Sequence, residues 1–169
     1  MFVFGRRSRP KTNTTNSSDF ARKTPEMVGE WFMRIESSAM ILQGRKIFQG
    51  LARGEALVTS MGISFYGGVD PESGIVVEKG HELEGQSISG RILVFPTGKG
   101  STVGSYTLYR LKHHGKAPAA IVNAECETIT AVGCIIAEIP CVDQIPIRQL
   151  HTGSHLLVDG AKGIVEVLD

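Results

Sequence analysis

The length, composition and charge of the chain are those of one ordinary globular domain. Its 169 residues agree with a prior of roughly 100–200 residues per domain, and 41% hydrophobic with 21% charged residues is typical of a folded protein. The formal net charge of +1 provides no overall field that would attract nucleic acid or an anionic membrane surface. We therefore expect neither as a partner.

The N-terminal segment differs in charge from the rest of the chain. Residues 1–50 carry nine Lys and Arg against four Asp and Glu, whereas residues 51–169 carry nine against thirteen. Residues 1–25 are rich in Ser, Thr and Asn and lack a periodic apolar pattern, which predicts a disordered basic extension. An inert extension is preferred to a transit peptide because Pro10 disfavours an amphipathic helix. A single domain is expected over 26–169.

Three cysteines indicate a reducing compartment. Cys126, Cys134 and Cys141 are odd in number, and their gaps of eight and seven residues fit neither a disulfide framework nor a Cys-x-x-Cys metal site. We expect them to be small buried hydrophobic residues in a cytoplasmic protein. No apolar run approaches the ~20 residues that a membrane-spanning helix needs.

The first half of the chain alternates strand-like runs with glycine-rich loops. Residues 25–32 predict a short helical turn, and the pattern leaves 34–50 unassigned. Strands are predicted at 54–60, 75–77 and 89–95, with a glycine-aromatic loop over 64–70 and a polar loop over 81–85.

The second half contains the longest predicted helix, over 104–114, which Gly115 ends. A short helix or turn is expected over 127–132. Strands are predicted at 117–122, 133–137 and 139–142, and a hairpin is predicted over 155–167. This pattern predicts a β-rich barrel or a layered α/β domain with a few short helices, without the parallel alternation of a Rossmann fold.

A glycine-rich turn over 95–106 connects an apolar strand to the long helix. Gly98, Gly100 and Gly104 allow backbone N–H groups to face outward, and the first turn of a helix has unpaired donors with partial positive charge. Such a turn can hold an anion. Its glycine spacing is neither that of a Walker loop nor that of a dinucleotide-binding turn. The alternative is an ordinary connection capped by Ser101 or Thr102.

No complete active site is visible in the residues themselves. Ser101 has no histidine nearby in sequence, which disfavours a triad hydrolase. His151 and His155 are four residues apart, but Gly153 between them disfavours a two-ligand helix, and no metal site is expected. Asp70 beside Pro71 is typical of a turn residue rather than an acid catalyst.

Five ordered motifs resemble the small subunit of aconitase X. They lie at 54–58, 64–70, 81–85, 98–105 and 117–121, so the resemblance extends from about residue 50 to the C-terminus. It implies a swivelling β/β/α domain that closes over a large catalytic subunit. A site shared between two chains would explain why this one carries only part of it.

The resemblance also implies roles for individual residues. In the aconitase superfamily a serine in this turn acts as the base, and Ser101 stands at that position. Where the wider superfamily has an arginine after its serine pair, this chain has Thr102 and Val103, which places aconitase activity itself in doubt. The expected substrate-binding residues are Gly98, Gly100, Thr102 and Gly104 in the turn, with Ser64, Gly67 and Gly68 on the closing face.

The known aconitase X enzymes dehydrate two hydroxy acids, cis-3-hydroxy-L-proline and mevalonate 5-phosphate. The polar extension and ordinary charge content favour cis-3-hydroxy-L-proline, because they are unlike a compact hyperthermophilic chain. The alternatives are mevalonate 5-phosphate and a non-catalytic anion-binding module. An iron–sulfur cluster is expected in the large subunit, with no cofactor bound by this chain alone.

Overall fold

The computed structural model describes residues 39–168, which form one curved sheet flanked by helices. The strands are β1 (Met40–Gln43), β2 (Arg45–Phe48), β3 (Leu51–Val58), β4 (Ile92–Phe95), β5 (Ala120–Asn123), β6 (Cys141–Asp143), β7 (His155–Asp159) and β8 (Ile164–Val167). The helices are α1 (Phe65–Gly68), α2 (Val103–His113) and α3 (Thr128–Ala137), with a 3-10 turn at Ile147–Gln149. α1 is a single irregular turn, because Tyr66 and Gly67 have non-helical dihedral angles.

The sheet curves until its two ends meet. Its strand order is β1-β8-β7-β3-β4-β5-β6-β2, in which β3 to β6 are parallel and the other pairs are antiparallel. Only Gly44 separates β1 from β2, so one continuous segment of chain pairs with β8 at one end of the sheet and with β6 at the other. A Cβ at Gly44 would fall 2.2 Å from the backbone oxygen of Asp143, and no other residue fits there.

The parallel strands are buried on both faces. Leu93 and Phe95 pack with residues of α2 and α3, whereas Ile92 and Val94 pack with residues of β7 and β8. Each of these four side chains is fully buried. Alternation along β4 therefore places apolar layers on both sides of the sheet, as parallel strands require. The result is two sheet layers and one helix layer, which confirms the predicted β-rich, barrel-like α/β fold.

The strand predicted at 133–137 is wrong, because these residues form the second half of α3. A short apolar run with β-branched residues does not distinguish a buried strand from a buried helix. The deciding signal lies upstream, where the Glu127 carboxylate accepts hydrogen bonds from the N–H groups of Ile129 and Thr130 and caps the helix. Thr130, Gly133, Cys134 and Ala137 form the buried face.

The expectation that parallel strand-helix alternation is absent is also wrong. The chain runs from β4 through α2 to β5 and through α3 to β6, and both strand pairs are parallel. The predicted strand at 75–77 forms only isolated bridges, Val69 with Val76 and Ile75 with Ser87. The unassigned stretch contains β1 and β2.

Several predicted elements are confirmed. β3 and β4 overlap the strands predicted at 54–60 and 89–95, and the terminal hairpin forms as β7 and β8. The long helix is α2, and Gly115 follows it with φ of +67°. The predicted extension over 1–25 and the helical turn over 25–32 lie outside the described residues. No helix within 39–168 has the length and apolar character to cross a membrane.

Candidate active site

Two loops meet at one edge of the parallel sheet. The first follows β3 and carries Ser64, and the second follows β4 and carries Ser101. Backbone bonds join them: the Ile63 N–H donates to the Thr97 oxygen at 3.3 Å, and the Lys99 N–H donates to the Ile63 oxygen at 2.9 Å. Loops at the carboxyl ends of parallel strands are the usual binding edge of such sheets. The fold thus unites two motifs that are 37 positions apart in the sequence.

The two loops touch at glycines. A Cβ at Gly100 would lie 2.7 Å from the Ser64 hydroxyl, and Gly100 has φ of +100°, which disfavours side chains independently. A Cβ at Gly104 would lie 3.7 Å from the amide nitrogen of Tyr66. The Ser64 hydroxyl donates to the Tyr66 oxygen at 3.0 Å, which fixes its own loop. Ser64, Gly100 and Gly104 therefore lie together.

Ser101 lies exposed just before α2. Its hydroxyl oxygen accepts a hydrogen bond from the Val103 N–H at 3.3 Å. Thr102 is the N-cap residue, but its side chain makes no capping bond. The connection is therefore capped in part by Ser101 and not by the Thr102 side chain. A serine in this role still presents its hydroxyl to the surface.

Unpaired donors surround Ser101. Within residues 39–168 the N–H groups of Gly100, Ser101 and Thr102 donate to no protein acceptor. The first turn of α2 contains no acidic residue that would neutralise the partial positive charge of the helix terminus. These donors and this terminus can bind a carboxylate or phosphate, or stabilise negative charge on the serine oxygen.

Neighbouring side chains leave no room for a Cβ atom at Gly98. A Cβ at this position would fall 2.1 Å from Oε1 of Glu127 and 2.5 Å from Oγ1 of Thr130. The Glu127 carboxylate is itself held by the N-terminal amides of α3. The Ser101 loop is thereby seated against the start of the helix that follows β5.

The remaining predicted residues of the closing face lie in α1. Gly67 has φ of +78° with open space around it, and the Oε2 atom of Glu78 would lie 3.2 Å from a Cβ at Gly68. Glu78 also accepts a hydrogen bond from Nζ of Lys99 at 2.6 Å. Neither Lys99 nor Glu78 was predicted as a site residue. A lysine between two glycines is the one sequence signal that could have indicated Lys99.

The loop at 81–85 braces the approach to Ser64. His81 is buried, and its Nδ1 accepts from the Leu83 N–H, so Nε2 carries the proton and donates to the Gly62 oxygen at 3.3 Å. Glu82 accepts hydrogen bonds from the hydroxyl groups of Ser60 and Thr59 and from the Ser60 N–H, which lower the pKa of Glu82 to about 2. This loop is structural support for the site.

Other candidates have structural roles. Asp70 accepts hydrogen bonds from the Ser73 hydroxyl and N–H, which lower the pKa of its carboxyl, and it lies in a turn as predicted. Within residues 39–168 no group of three His, Cys, Asp or Glu is arranged to hold a metal ion.

The cysteines do not fit an iron–sulfur cluster. Cys134 and Cys141 are fully buried in the apolar core, and Cys126 packs against it. The hydrogen bond with Cys141 and, as a smaller effect, desolvation raise the pKa of the Cys126 thiol. A raised pKa opposes formation of the thiolate that a metal needs.

The comparisons with known proteins agree on one family. The aconitase X swivel domain family matches residues 41–167. The phosphomevalonate dehydratase small subunit of Thermococcus kodakarensis is 54% identical over 130 residues, which cover 77% of this chain and 98% of the relative. The protein of the same name from Methanosarcina acetivorans is 53% identical, over 75% of this chain and 90% of the relative.

A solved structure shows the same fold. The crystal structure of aconitase X from Thermococcus kodakaraensis in its holo-form superposes with a TM-score of 0.76 at 53% identity, over 77% of this chain and 99% of that one. The relatives named above are small subunits of a dehydratase, and the chain belongs to the aconitase X swivel domain family.

Proposed function

We propose that this chain is the small subunit of a two-chain aconitase X dehydratase that acts on mevalonate 5-phosphate, with Ser101 as the general base. The observation that carries this proposal is the convergence of the Ser64 and Ser101 loops around unpaired amides on one exposed edge. Relatives at 53–54% identity that bear the phosphomevalonate dehydratase name support the substrate.

The reaction requires a base beside a carboxylate. Loss of water from a 3-hydroxy acid removes a proton from the carbon next to the carboxyl group and the hydroxyl group from the following carbon. A neutral serine hydroxyl is a poor base, so the serine must react as its alkoxide. Nearby positive charge and hydrogen-bond donors stabilise that alkoxide, which takes the proton from carbon and becomes the neutral hydroxyl. The Val103 N–H donates to the Ser101 oxygen, and the unpaired N–H groups of residues 100–102 and the terminus of α2 lie beside it.

The remainder of the site belongs to the partner in this proposal. The Ser101 loop has no arginine and its one lysine, Lys99, is paired with Glu78, so its contribution to anion binding comes chiefly from backbone N–H groups. The iron–sulfur cluster that the family implies would be held by the large subunit and would assist departure of the hydroxyl group. The buried cysteines of this chain take no part.

Replacing the serine tests its role. In the reconstituted two-chain enzyme we expect Ser101→Ala to lower kcat for mevalonate 5-phosphate by about 10²–10⁴-fold, the range of general acid–base catalysis. Ser105→Ala is the matched control, because the Ser105 hydroxyl lies one turn into α2 and donates to the Thr102 oxygen. Near-normal turnover of Ser101→Ala, with assembly intact, would remove Ser101 from the mechanism.

The choice of substrate is tested separately. The purified two-chain enzyme is assayed with mevalonate 5-phosphate and with cis-3-hydroxy-L-proline, and we expect turnover of the phosphate ester only. Turnover of the hydroxyproline alone would replace the substrate but keep the subunit role. A stable monomer that binds anions and has no large partner would instead support the non-catalytic binding module.

A further inference from the structure

We propose that the ion pair between Lys99 and Glu78 is a positioning device that fixes the Ser101 loop against α1. This inference rests on the proposed function. Neither residue is one of the groups assigned to the reaction. Nζ of Lys99 lies 2.6 Å from Oε1 of Glu78, and the two residues are 21 positions apart in the chain.

Each partner is also bound through its backbone to one end of the Ser64 loop. The Lys99 N–H donates to the Ile63 oxygen at 2.9 Å, just before Ser64, and the Glu78 N–H donates to the Gly68 oxygen at 3.2 Å, at the end of α1. The side-chain pair closes a ring around that loop. Within this ring the distance between Gly68 and the Ser101 loop is restricted.

Glycines on either side allow this arrangement. The Glu78 carboxylate lies over Gly68, where a Cβ would be 3.2 Å from Oε2. Lys99 lies between Gly98 and Gly100, and both of these positions exclude a Cβ by close contact. Lys99 therefore has the one side chain in the segment 98–100, and that side chain reaches across to Glu78.

The ion pair should matter more in the assembled enzyme than in the isolated chain. Its side chains are 44% and 30% exposed, and pairs of this exposure contribute little to the stability of a protein in water. A large subunit that covers this edge would exclude water and strengthen the attraction. A positioning role therefore predicts an effect on turnover without a comparable effect on the melting temperature of the small subunit.

The test uses single substitutions and a charge exchange in the reconstituted enzyme. We expect Lys99→Met and Glu78→Gln each to lower kcat by roughly tenfold with KM changed less than about twofold, since small displacements of catalytic groups have such effects. The double variant Lys99→Glu with Glu78→Lys should recover most of kcat, because it restores the pair with reversed charges.

A second ion pair provides the control. Arg91 and Glu55 lie 3.2 Å apart with similar exposure, at the opposite end of β4 from the Ser101 loop. Arg91→Met and Glu55→Gln should leave kcat unchanged. Single variants of the Lys99 pair that behave like these controls would overturn the proposal. A rise in KM for Lys99→Met that the charge exchange fails to reverse would overturn it as well, because it would indicate direct binding of the substrate anion.

Hydrogen exchange separates this inference from the proposed function. If the wild-type complex fails to dehydrate mevalonate 5-phosphate, the function falls, and amide exchange at Lys99, Val103 and Gly104, whose N–H groups are hydrogen-bonded, still reports on the loop in the same complex. We expect faster exchange there in Lys99→Met and Glu78→Gln than in wild type and the two controls, with protection regained in the charge-exchanged variant. Unchanged exchange in both single variants would refute the positioning role.

Discussion

At Gly98 a single methyl group would disturb both the candidate site and a helix cap. The Cβ of an alanine would displace the Glu127 carboxylate, which lies 2.1 Å from that position and caps α3. We expect Gly98→Ala to lower the free energy of unfolding by about 1 kcal/mol, the typical value of a lost N-cap. Denaturant unfolding of the small subunit measures this change.

A double-mutant cycle identifies the cause of that loss. In a Glu127→Ala background the cap is already absent, so Gly98→Ala should cost clearly less than it does in the wild type. Equal costs in both backgrounds would show that the clash with Glu127 is not responsible, and Thr130, whose Oγ1 lies 2.5 Å from the same Cβ position, would be the next candidate.

Helices α2 and α3 pack closely because Gly133 has no side chain. A Cβ there would lie 2.4 Å from Cδ1 of Leu108 and 3.2 Å from the Cα of Ser105. We expect Gly133→Ala to destabilise the subunit by about 1–3 kcal/mol, as overpacking does, despite the higher helix propensity of alanine. In a Leu108→Val background, which lacks the clashing Cδ1 atom, the added loss should be smaller. A stabilised Gly133→Ala variant would contradict the close packing.

The loop at 81–85 should make stability depend on pH. Glu82 has a folded-state pKa of about 2 against an ordinary value of 4.5, because Ser60 and Thr59 donate to its charged form. Its stabilising contribution is therefore complete above the unfolded pKa and is lost as pH falls through the folded pKa. We expect Glu82→Gln to lower the melting temperature at pH 7 and to have a smaller effect near pH 2. Equal effects at both values would exclude the charged form as the source.

The whole molecule offers a test of the domain boundary. The family match begins at residue 41, and relatives aligned over 98% of their own length cover only 77% of this chain. We expect a chain that starts at Ala39 to fold, bind the large subunit and support turnover within about twofold of the full chain. A second truncation that starts at Pro25 is the control, and a clear advantage of this longer chain would extend the domain towards residue 26, as the sequence predicts.

The sequence predicted those elements whose signals lie within a few neighbouring residues. Gly98, Gly100 and Gly104 indicated the Ser101 turn because they lie within seven consecutive residues of the loop and the first turn of α2, and Gly115 indicated the end of α2. β1 and β2 were missed because their pairing partners lie at Ile164–Val167 and in β6, more than 90 positions along the chain. The Lys99 pair was missed because its two residues are 21 positions apart and meet only in the folded chain.

Motif order recovered what periodicity could not. The five motifs, two of which carry Ser64 and Ser101, indicate the family of the chain before any geometry is known. The structure then brings the loops of both serines to one edge. The helix over 128–137 shows the opposite case. The sequence predicts a short helix or turn over 127–132 and a strand over 133–137, whereas one helix capped by Glu127 covers both.

The bonds between Ile63, Thr97 and Lys99 have a consequence for the thermodynamics of assembly. Because the two serine loops are already joined in the small subunit, the completion of a shared site would require the orientation of one rigid body rather than the ordering of two separate loops. The entropic penalty at association would then be mostly that of translation and rotation. Calorimetry of the two chains should accordingly show little heat-capacity change beyond that of the apolar surface buried at the interface.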